Sequence, residues 1–312
     1  MRDRPGKPQR GLNLDIARKH YTASWIEDRM REMADLKLNQ LGLHFSDDQA
    51  FRIESDSHPP EVVSPDHLTK KQVRHILALA GRLHIQVVPE IDSPGHLGAV
   101  LRAHPDLQLH NVSGVASTGS LDISKPGAAK LIDELLGEYA ELFGGTYWHL
   151  GGDEYRALMA SNPAASYPQL QRAAVAKYGS GAGISDLATG WLNDRADVVR
   201  KHGKQPKAWN DGQFRDSKVR ADKDIEVEYW TGKEYGGPVA GGVPERGPQG
   251  PQPQRRVHVL RARAAQRLRL PDRQADLRAV DPARPARHHP GPRALLGPDP
   301  RRPVRRLGRL PE

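Results

Sequence analysis

The sequence predicts an α/β fold: a (β/α)8 TIM barrel that is incomplete, with about six strands, and is followed by a disordered Pro/Arg-rich tail. The first reason is that apolar extended segments alternate with helical patterns through residue 235, as in parallel β/α units. The second is that polar residues follow the end of each extended segment, as at the catalytic face of a barrel. A doubly wound sheet is the alternative, but no glycine-rich phosphate loop follows the first strand.

Each predicted element rests on hydrophobic periodicity. The extended segments lie at 11–17, 39–45, 86–91, 147–150, 206–209 and 225–230. Apolar residues recur at helical spacing after Ser24 and after Thr69, which we interpret as N-caps, and again over 131–142 and 187–199. These apolar residues at helical spacing indicate helices that face the core, and they carry no information about function.

The chain changes in composition after residue 235. Residues 236–312 contain 17 arginines, no lysine and six acidic residues, so the net charge of +9 comes from this tail. Only ten residue types occur there, and all of them have codons that begin with C or G. We interpret the tail as an out-of-frame translation; a disordered anion-binding arm or a low-complexity linker are the alternatives. The predicted domains are therefore a disordered N-terminus (1–10), a partial barrel (11–235) and the tail (236–312).

Composition excludes several classes of function. The chain has no cysteine, which removes disulfides and thiolate metal sites. No apolar run reaches the roughly 20 residues that span a bilayer, and the N-terminus lacks the apolar stretch of a signal peptide. We predict no membrane partner, no nucleic-acid partner and no cofactor, and the localisation stays open.

The most informative motif is His-Leu-Gly-Gly-Asp-Glu at 149–154, where a strand runs into two glycines and two adjacent carboxylates. Neighbouring side chains on a strand point to opposite faces, so Asp153 and Glu154 share one pocket only if the backbone bends. Gly151 and Gly152 make that bend inexpensive. A helix start with Asp153 as N-cap is the alternative, but it accounts for only one of the two carboxylates.

Polar and aromatic residues follow all six predicted strands. Aromatic faces among carboxylates and an arginine suit a neutral, polyhydroxylated ring such as a sugar. The residues are Asp15, Arg18, His44, Asp47, Asp48, Glu90, Asp92, His96, His149, Asp153, Glu154, Trp209, Asn210, Asp211, Tyr229 and Trp230.

Three motifs in this order carry a family resemblance: GLNLDIAR at 11–18, EIDSPGH at 90–96 and HLGGDE at 149–154. Together they resemble the β-N-acetylhexosaminidases, family 20 of the glycoside hydrolases, over roughly residues 10–235. The WNDG segment at 209–212 resembles the dispersin-like and lacto-N-biosidase-like branches most closely.

The resemblance implies a retaining hydrolysis in which the substrate's own acetamido group is the nucleophile. It implies that Glu154 is the general acid/base and that Asp153 orients the acetamido group. The substrate would be a glycan with a terminal β-linked GlcNAc or GalNAc. The other implied substrate-binding residues are Arg18, Asp92, His96, Trp209, Trp230 and Asp211.

Several of these residues also have simpler interpretations. Asp15 is expected to form a salt bridge within the barrel, His44 to be a buried histidine with satisfied hydrogen bonds, and Asp47-Asp48 to form a loop turn. His149 is expected to hold the strand end in place. Glu90, Asp92 and His96 could form a metal trio, but Pro94-Gly95 and the resemblance argue against it, and we predict no metal.

The sequence also departs from the family, whose last two strands supply a Tyr, an Asp and a Trp-x-Glu to the sugar. Residues 236–312 contain neither Tyr nor Trp. We therefore expect unpaired edges at the first and sixth strands and little or no activity. Three functions stay open: a hexosaminidase, a non-catalytic remnant that binds sugar weakly, and an anion or nucleic-acid binder that acts through the tail.

Overall fold

The computed structural model describes residues 5–58, 60–212 and 217–230, together with the backbone of 257–258 and 260–262. The strands in this part of the chain are β1 (Gly11–Asp15), β2 (Gln40–His44), β3 (Gln86–Glu90), β4 (Gln108–His110), β5 (Ala116–Leu121), β6 (Tyr147–His149), β7 (Gln205–Trp209), β8 (Glu226–Tyr229), β9 (Val257–His258) and β10 (Leu260–Ala262). All but β4 and β5 belong to one parallel sheet in the order β10-β1-β2-β3-β6-β7-β8-β9.

The outer strands of this sheet come from the tail. Val257 pairs with Glu228 of β8, and Leu260 pairs with Leu12 of β1. The structure differs here from the expectation of unpaired edges, because backbone hydrogen bonds require no particular side chains. The prediction that the tail is disordered falls, for 236–256 and 263–312, outside the described residues.

The helices in the described residues are α1 (Ala23–Asp35), α2 (Lys70–Arg82), α3 (Gly98–Leu101), α4 (Pro126–Leu142), α5 (Arg156–Met159), α6 (Pro163–Ser166), α7 (Pro168–Tyr178) and α8 (Ile184–Lys201). Three 3₁₀ turns cover Pro60–Val62, Pro105–Leu107 and Asn210–Gly212. None of the helices in the described residues is long and apolar enough to cross a membrane.

The four predicted helices correspond to α1, α2, α4 and α8. Thr69 caps α2 as predicted, and with Gln72 it forms a capping box. The interpretation of Ser24 as the cap of α1 is wrong: the Thr22 hydroxyl accepts from the Trp25 backbone N–H at 3.2 Å, and Ser24 lies inside the helix. The buried faces of these helices cover the sheet, and their residues form one continuous core with it.

The N-terminal residues 9 and 10 are attached to the barrel, which corrects the prediction that 1–10 is disordered. The Arg10 backbone N–H donates to Asn39 Oδ1 at 2.9 Å, and Gln9 Nε2 donates to the Tyr147 hydroxyl at 3.0 Å. Both contacts are formed by polar side chains, so hydrophobic periodicity does not reveal them. Residues 1–4 lie outside the described residues.

A buried ion cluster fills the barrel interior around Lys207, and we call it the Lys207 cluster. The Lys207 Nζ lies 2.9 Å from Glu226 Oε1 and 2.8 Å from Glu228 Oε1. It also donates to Gln9 Oε1 at 2.9 Å and to Gln40 Oε1 at 3.4 Å. The cluster therefore connects β7 and β8 with β2 and the segment before β1.

The β4–β5 hairpin is an insertion between β3 and α4 that the sequence did not predict. Its backbone forms two hydrogen bonds with the loop after β3. The Leu121 N–H donates to Pro94 O at 2.9 Å, and the Leu97 N–H donates to Gly119 O at 3.0 Å. The Tyr155 hydroxyl, in the loop after β6, donates to Leu121 O at 2.8 Å. The hairpin therefore contacts loops that follow two different strands of the barrel.

Candidate active site

The polar residues predicted at the strand ends lie together at the C-terminal end of the parallel sheet. Arg18 comes from the loop after β1, His96 from the loop after β3, and Asp153 and Glu154 from the turn after β6. Ion-pair contacts connect them: His96 Nε2 lies 3.6 Å from Glu154 Oε2 and 3.8 Å from Asp153 Oδ2. The two carboxylates of the opening motif therefore share one site.

The backbone bends after β6 at the two glycines. Gly151 has a φ of +70° and Gly152 a φ of +90°, and Glu154 itself has a φ of +49°. A Cβ on Gly151 would lie 1.8 Å from Asp92 Oδ1, so no other residue fits there. The alternative of a helix start with Asp153 as N-cap is wrong, because α5 begins at Arg156 with Tyr155 at its N-cap position.

The two carboxylates have different environments. Asp153 is buried, whereas the Glu154 side chain is 37% exposed. Asp92 lies beside Asp153, and its Oδ1 accepts from the Gly152 backbone N–H at 2.8 Å. Burial and the neighbouring charge of Asp153 raise the pKa of Asp92 well above its ordinary value, and a hydrogen bond joins the two carboxyl groups. Burial and the charge of Asp153 therefore favour the protonated form of Asp92.

Arg18 is fixed on one side and open on the other. Its guanidinium lies 2.8 Å from Asp15 Oδ2 and 2.7 Å from Asp47 Oδ2, which confirms the expected salt bridge of Asp15. Burial alone would lower the pKa of Arg18, but the hydrogen bond to Asp15 and the charge of Asp47 raise it. The side chain is 36% exposed, so part of the guanidinium is available to a ligand.

His44, Asp47 and Glu90 form a buried row beneath Arg18 and His96. The His44 Nε2 forms a hydrogen bond with Asp47 Oδ2 at 3.1 Å, whereas its Nδ1 lies 3.1 Å from Glu90 Oε1 without hydrogen-bond geometry. The histidine is therefore buried as expected, but only one of its ring nitrogens is satisfied. Asp47 begins a loop turn as expected, since its backbone N–H donates to Ala50 O at 2.9 Å, but its side chain is also buried and paired with Arg18. The sequence placed Asp47 and Glu90 among the polar residues at the strand ends but did not predict that they contact the substrate-binding residues.

Asp211 and Trp230 lie together beside the two central carboxylates. The Trp230 indole donates to Asp211 Oδ1 at 2.8 Å. Burial and the charge of Asp153 raise the pKa of Asp211 to about 6, while hydrogen bonds from Trp230 and from the Glu154 backbone limit the rise. Asp211 therefore changes its charge near neutral pH.

The two tryptophans differ in exposure. Trp230 is half-buried, so part of its ring can contact a ligand. Trp209 is fully buried: its indole donates to Glu90 Oε1 at 2.7 Å and its ring lies 4.4 Å from that of His149. In this structure Trp209 therefore supports the catalytic end from the core.

Two groups in the described residues have ligand atoms close enough for a metal ion: His44, Glu90 and Asp92, and Asp92, His96 and Asp153. The first is a poor fit, because both ring nitrogens of His44 face carboxylates and a metal requires a neutral imidazole. In the second, Asp153 and Asp47 raise the pKa of His96 against the opposing effect of burial. Both histidines therefore favour a proton over a metal.

Residues 8–243 match the catalytic domain of glycosyl hydrolase family 20. Lacto-N-biosidase of Bifidobacterium bifidum is 35% identical over 229 residues, covering 73% of this chain and 20% of that protein. The β-hexosaminidase subunit beta of Entamoeba histolytica is 28% identical over 247 residues, covering 74% of this chain and 42% of that protein.

A solved structure of the family 20 exo-β-N-acetylglucosaminidase from Vibrio harveyi, in complex with N-acetylglucosamine, has a TM-score of 0.63 and 25% identity to this chain. The similarity covers 73% of this chain and 39% of that one, and it confirms the predicted fold class. The chain thus spans between a fifth and about two-fifths of the length of these relatives.

Proposed function

The chain belongs to glycosyl hydrolase family 20, and from this premise we propose that it hydrolyses the terminal, non-reducing, β-linked N-acetylhexosamine of a glycan. The observation that carries the proposal is the pairing of a buried carboxylate, Asp153, with a partly exposed one, Glu154, on a single bent strand end. A buried carboxylate suits a fixed contact with the substrate, whereas an exposed one can exchange protons with water.

In the first step, the acetamido carbonyl oxygen of the substrate attacks the anomeric carbon. Glu154, protonated at this stage, gives its proton to the glycosidic oxygen as the bond between that oxygen and the anomeric carbon breaks. The products of this step are the leaving sugar and a cyclic oxazolinium ion. The Asp153 carboxylate accepts a hydrogen bond from the acetamido N–H and stabilises the positive charge.

In the second step, a water molecule attacks the anomeric carbon from the side that the leaving sugar has vacated. Glu154 now removes a proton from the water, and the oxazolinium ring opens to regenerate the acetamido group. The anomeric configuration is retained, because two successive inversions occur at the same carbon.

The contacts of Asp153 support its role as the ionised member of the pair. The raised pKa of Asp92 favours the protonated form of that side chain, in which Asp92 can donate to Asp153. Asp153 thereby remains an acceptor for the acetamido N–H while a second carboxyl group lies against it. The exposed part of Arg18 offers N–H donors for the sugar hydroxyls, and Trp230 offers an aromatic face.

The test is hydrolysis of 4-nitrophenyl β-GlcNAc, β-GalNAc and lacto-N-bioside by the full chain and by Glu154→Gln. Because residues 236–312 contain neither Tyr nor Trp, we expect slow release of nitrophenol from the single-sugar substrates, and a further loss of about 10²–10⁴-fold in kcat for the variant. Glu134→Gln, on α4, is the matched control, because Glu134 lies outside the site and forms ion pairs with Lys130 and His58. Folded wild-type chain that turns over none of these substrates would overturn the proposal.

A further inference from the structure

His44 is a buried histidine beneath the site, enclosed between two buried carboxylates. Its side chain is 4% exposed, and those of Asp47 and Glu90 on either side are 2% and 1% exposed. Each ring nitrogen lies 3.1 Å from a carboxylate oxygen, Nε2 from Asp47 and Nδ1 from Glu90. No step of the proposed hydrolysis uses His44 directly, so its buried position requires another explanation.

The two carboxylates favour a doubly protonated ring. An ionised carboxylate can only accept hydrogen bonds, so Nε2 donates to Asp47, and a proton on Nδ1 places positive charge 3.1 Å from Glu90 Oε1. Burial alone would lower the pKa of His44, but Glu90 and Asp47, with a smaller contribution from Asp15, raise it to about 10. The His96 ring, whose centroid lies 6.2 Å from that of His44, opposes this effect.

Asp47 connects His44 with Arg18 and His96, the residues that face the substrate. Its Oδ2 lies 2.7 Å from Arg18 Nη2 and 3.5 Å from His96 Nδ1, and its Oδ1 accepts from the Asp48 backbone N–H at 2.6 Å. Burial would raise the pKa of Asp47, but the hydrogen bonds with His44 and His96 lower it. One carboxylate thus fixes two site residues, and a buried cation beneath it keeps it ionised.

We propose that His44 is a positioning residue for the proposed hydrolysis: it holds Asp47 from below, and Asp47 in turn holds Arg18 and His96 where the sugar and Glu154 require them. The part that concerns the sugar rests on the proposed function. The part that concerns the charged ring between Asp47 and Glu90 does not.

The first measurement tests the protonation of the His44 ring and does not depend on enzymatic activity. In the full chain labelled with ¹⁵N-histidine, both His44 nitrogens should show the protonated signature through pH 8. Glu90→Gln keeps an oxygen acceptor for the Trp209 indole but removes one negative charge, so the pKa of His44 should fall. A wild-type His44 that loses a proton below pH 7 would overturn the proposal.

The second measurement is the pH profile of kcat/KM for His44→Gln. We expect a loss of about 10–100-fold, the range found when a partner of a functional side chain is removed from behind it. Removing the cation should also raise the pKa of Asp47, so the acidic limb of the profile should move to higher pH. His58→Gln is the matched control, because His58 is equally enclosed but faces Glu134 and Glu138.

The double variant His44→Gln/Asp47→Asn separates positioning from general damage. Since His44 acts through Asp47, the double variant should be no less active than Asp47→Asn alone. Additive losses, or a His44→Gln enzyme with wild-type kcat/KM and pH profile, would overturn the proposal. A charged His44 in a folded chain that hydrolyses nothing would instead count against the proposed function.

Discussion

The Lys207 cluster and the catalytic end of the sheet are both buried groups of charges, yet only in the first does every carboxylate contact a cation. Glu226 and Glu228 each lie within 2.9 Å of the Lys207 Nζ. At the catalytic end, Asp47 has such partners, but neither Asp92 nor Asp211 forms an ion pair with a cation of the described residues.

Among the acids of the catalytic end, the direction of the pKa shift follows the presence or absence of a contacting cation. Asp47 has a lowered pKa, whereas those of Asp92 and Asp211 are raised by burial and by Asp153. A buried carboxylate is costly when no cation compensates it, and around Lys207 each carboxylate has that compensation. The unmatched acids at the catalytic end bind protons instead, which suits a site that moves protons.

Lys207→Met tests the Lys207 cluster and should have the largest effect on the stability of the fold. It leaves two buried carboxylates without their cation, so the free energy of unfolding should fall by about 3–5 kcal/mol. Urea denaturation followed by tryptophan fluorescence measures the loss. Adding Glu226→Gln and Glu228→Gln to the variant should recover much of it. If the free energy of unfolding of Lys207→Met is within about 1 kcal/mol of the wild-type value, the cluster does not hold the barrel together.

Gly151→Ala tests the packing of the catalytic end. Its φ of +70° costs an alanine about 1–2 kcal/mol, and the collision of its Cβ with Asp92 should add about 1–3 kcal/mol. Gly114→Ala is the control, with a φ of +76° but nothing within 4 Å of its Cβ, so only the first cost applies. Equal losses in denaturation experiments would contradict the close approach of Asp92.

Asp211→Asn tests a buried acid that has no ion pair with a cation of the described residues, through the pH dependence of stability. The pKa rises from 3.8 unfolded to about 6 folded, so the wild type gains stability from this group at low pH and loses it as pH rises through 6. Asparagine keeps the acceptor for Trp230 without the charge. The variant should therefore gain about 1–3 kcal/mol over the wild type between pH 4 and pH 7. A difference that does not change with pH would contradict the raised pKa.

Asp92→Asn should have the smallest effect on stability. Because the raised pKa favours the protonated form of Asp92, the substitution exchanges one neutral donor for another of similar shape. We expect a change below about 1 kcal/mol at pH 6.5 in urea denaturation. A substantially larger loss would mean that Asp92 is ionised in the folded protein.

Hydrophobic periodicity predicted the elements that form the core, and it could not predict the rest. The six inner strands of the sheet and α1, α2, α4 and α8 were found because their buried faces repeat regularly. The β4–β5 hairpin and the short helices α5 and α6 have no such repeat and are held by contacts distant in sequence. Gln9 and Arg10 escaped prediction for the same reason.

The expectation that polar residues at the ends of parallel strands meet at one end of the barrel selected residues that do lie together. Which residue contacts which depends on the fold. Asp47 was read as part of a turn because adjacent acids in a polar loop usually are, and its partner Arg18 lies 29 positions away in sequence. Trp209 and Trp230 are both aromatic residues at strand ends, and only the folded chain distinguishes a buried indole from a half-exposed one.

The β4–β5 hairpin has a consequence for engineering and for evolution. Besides its bonds to the loops after β3 and β6, it carries Gly119, where any Cβ would collide with the Asp48 side chain from the loop after β2. Loops from three strands are therefore fitted to one insertion. Exchanging any one of them with a relative should fail unless the hairpin is transferred as well, so these segments form a single unit of inheritance.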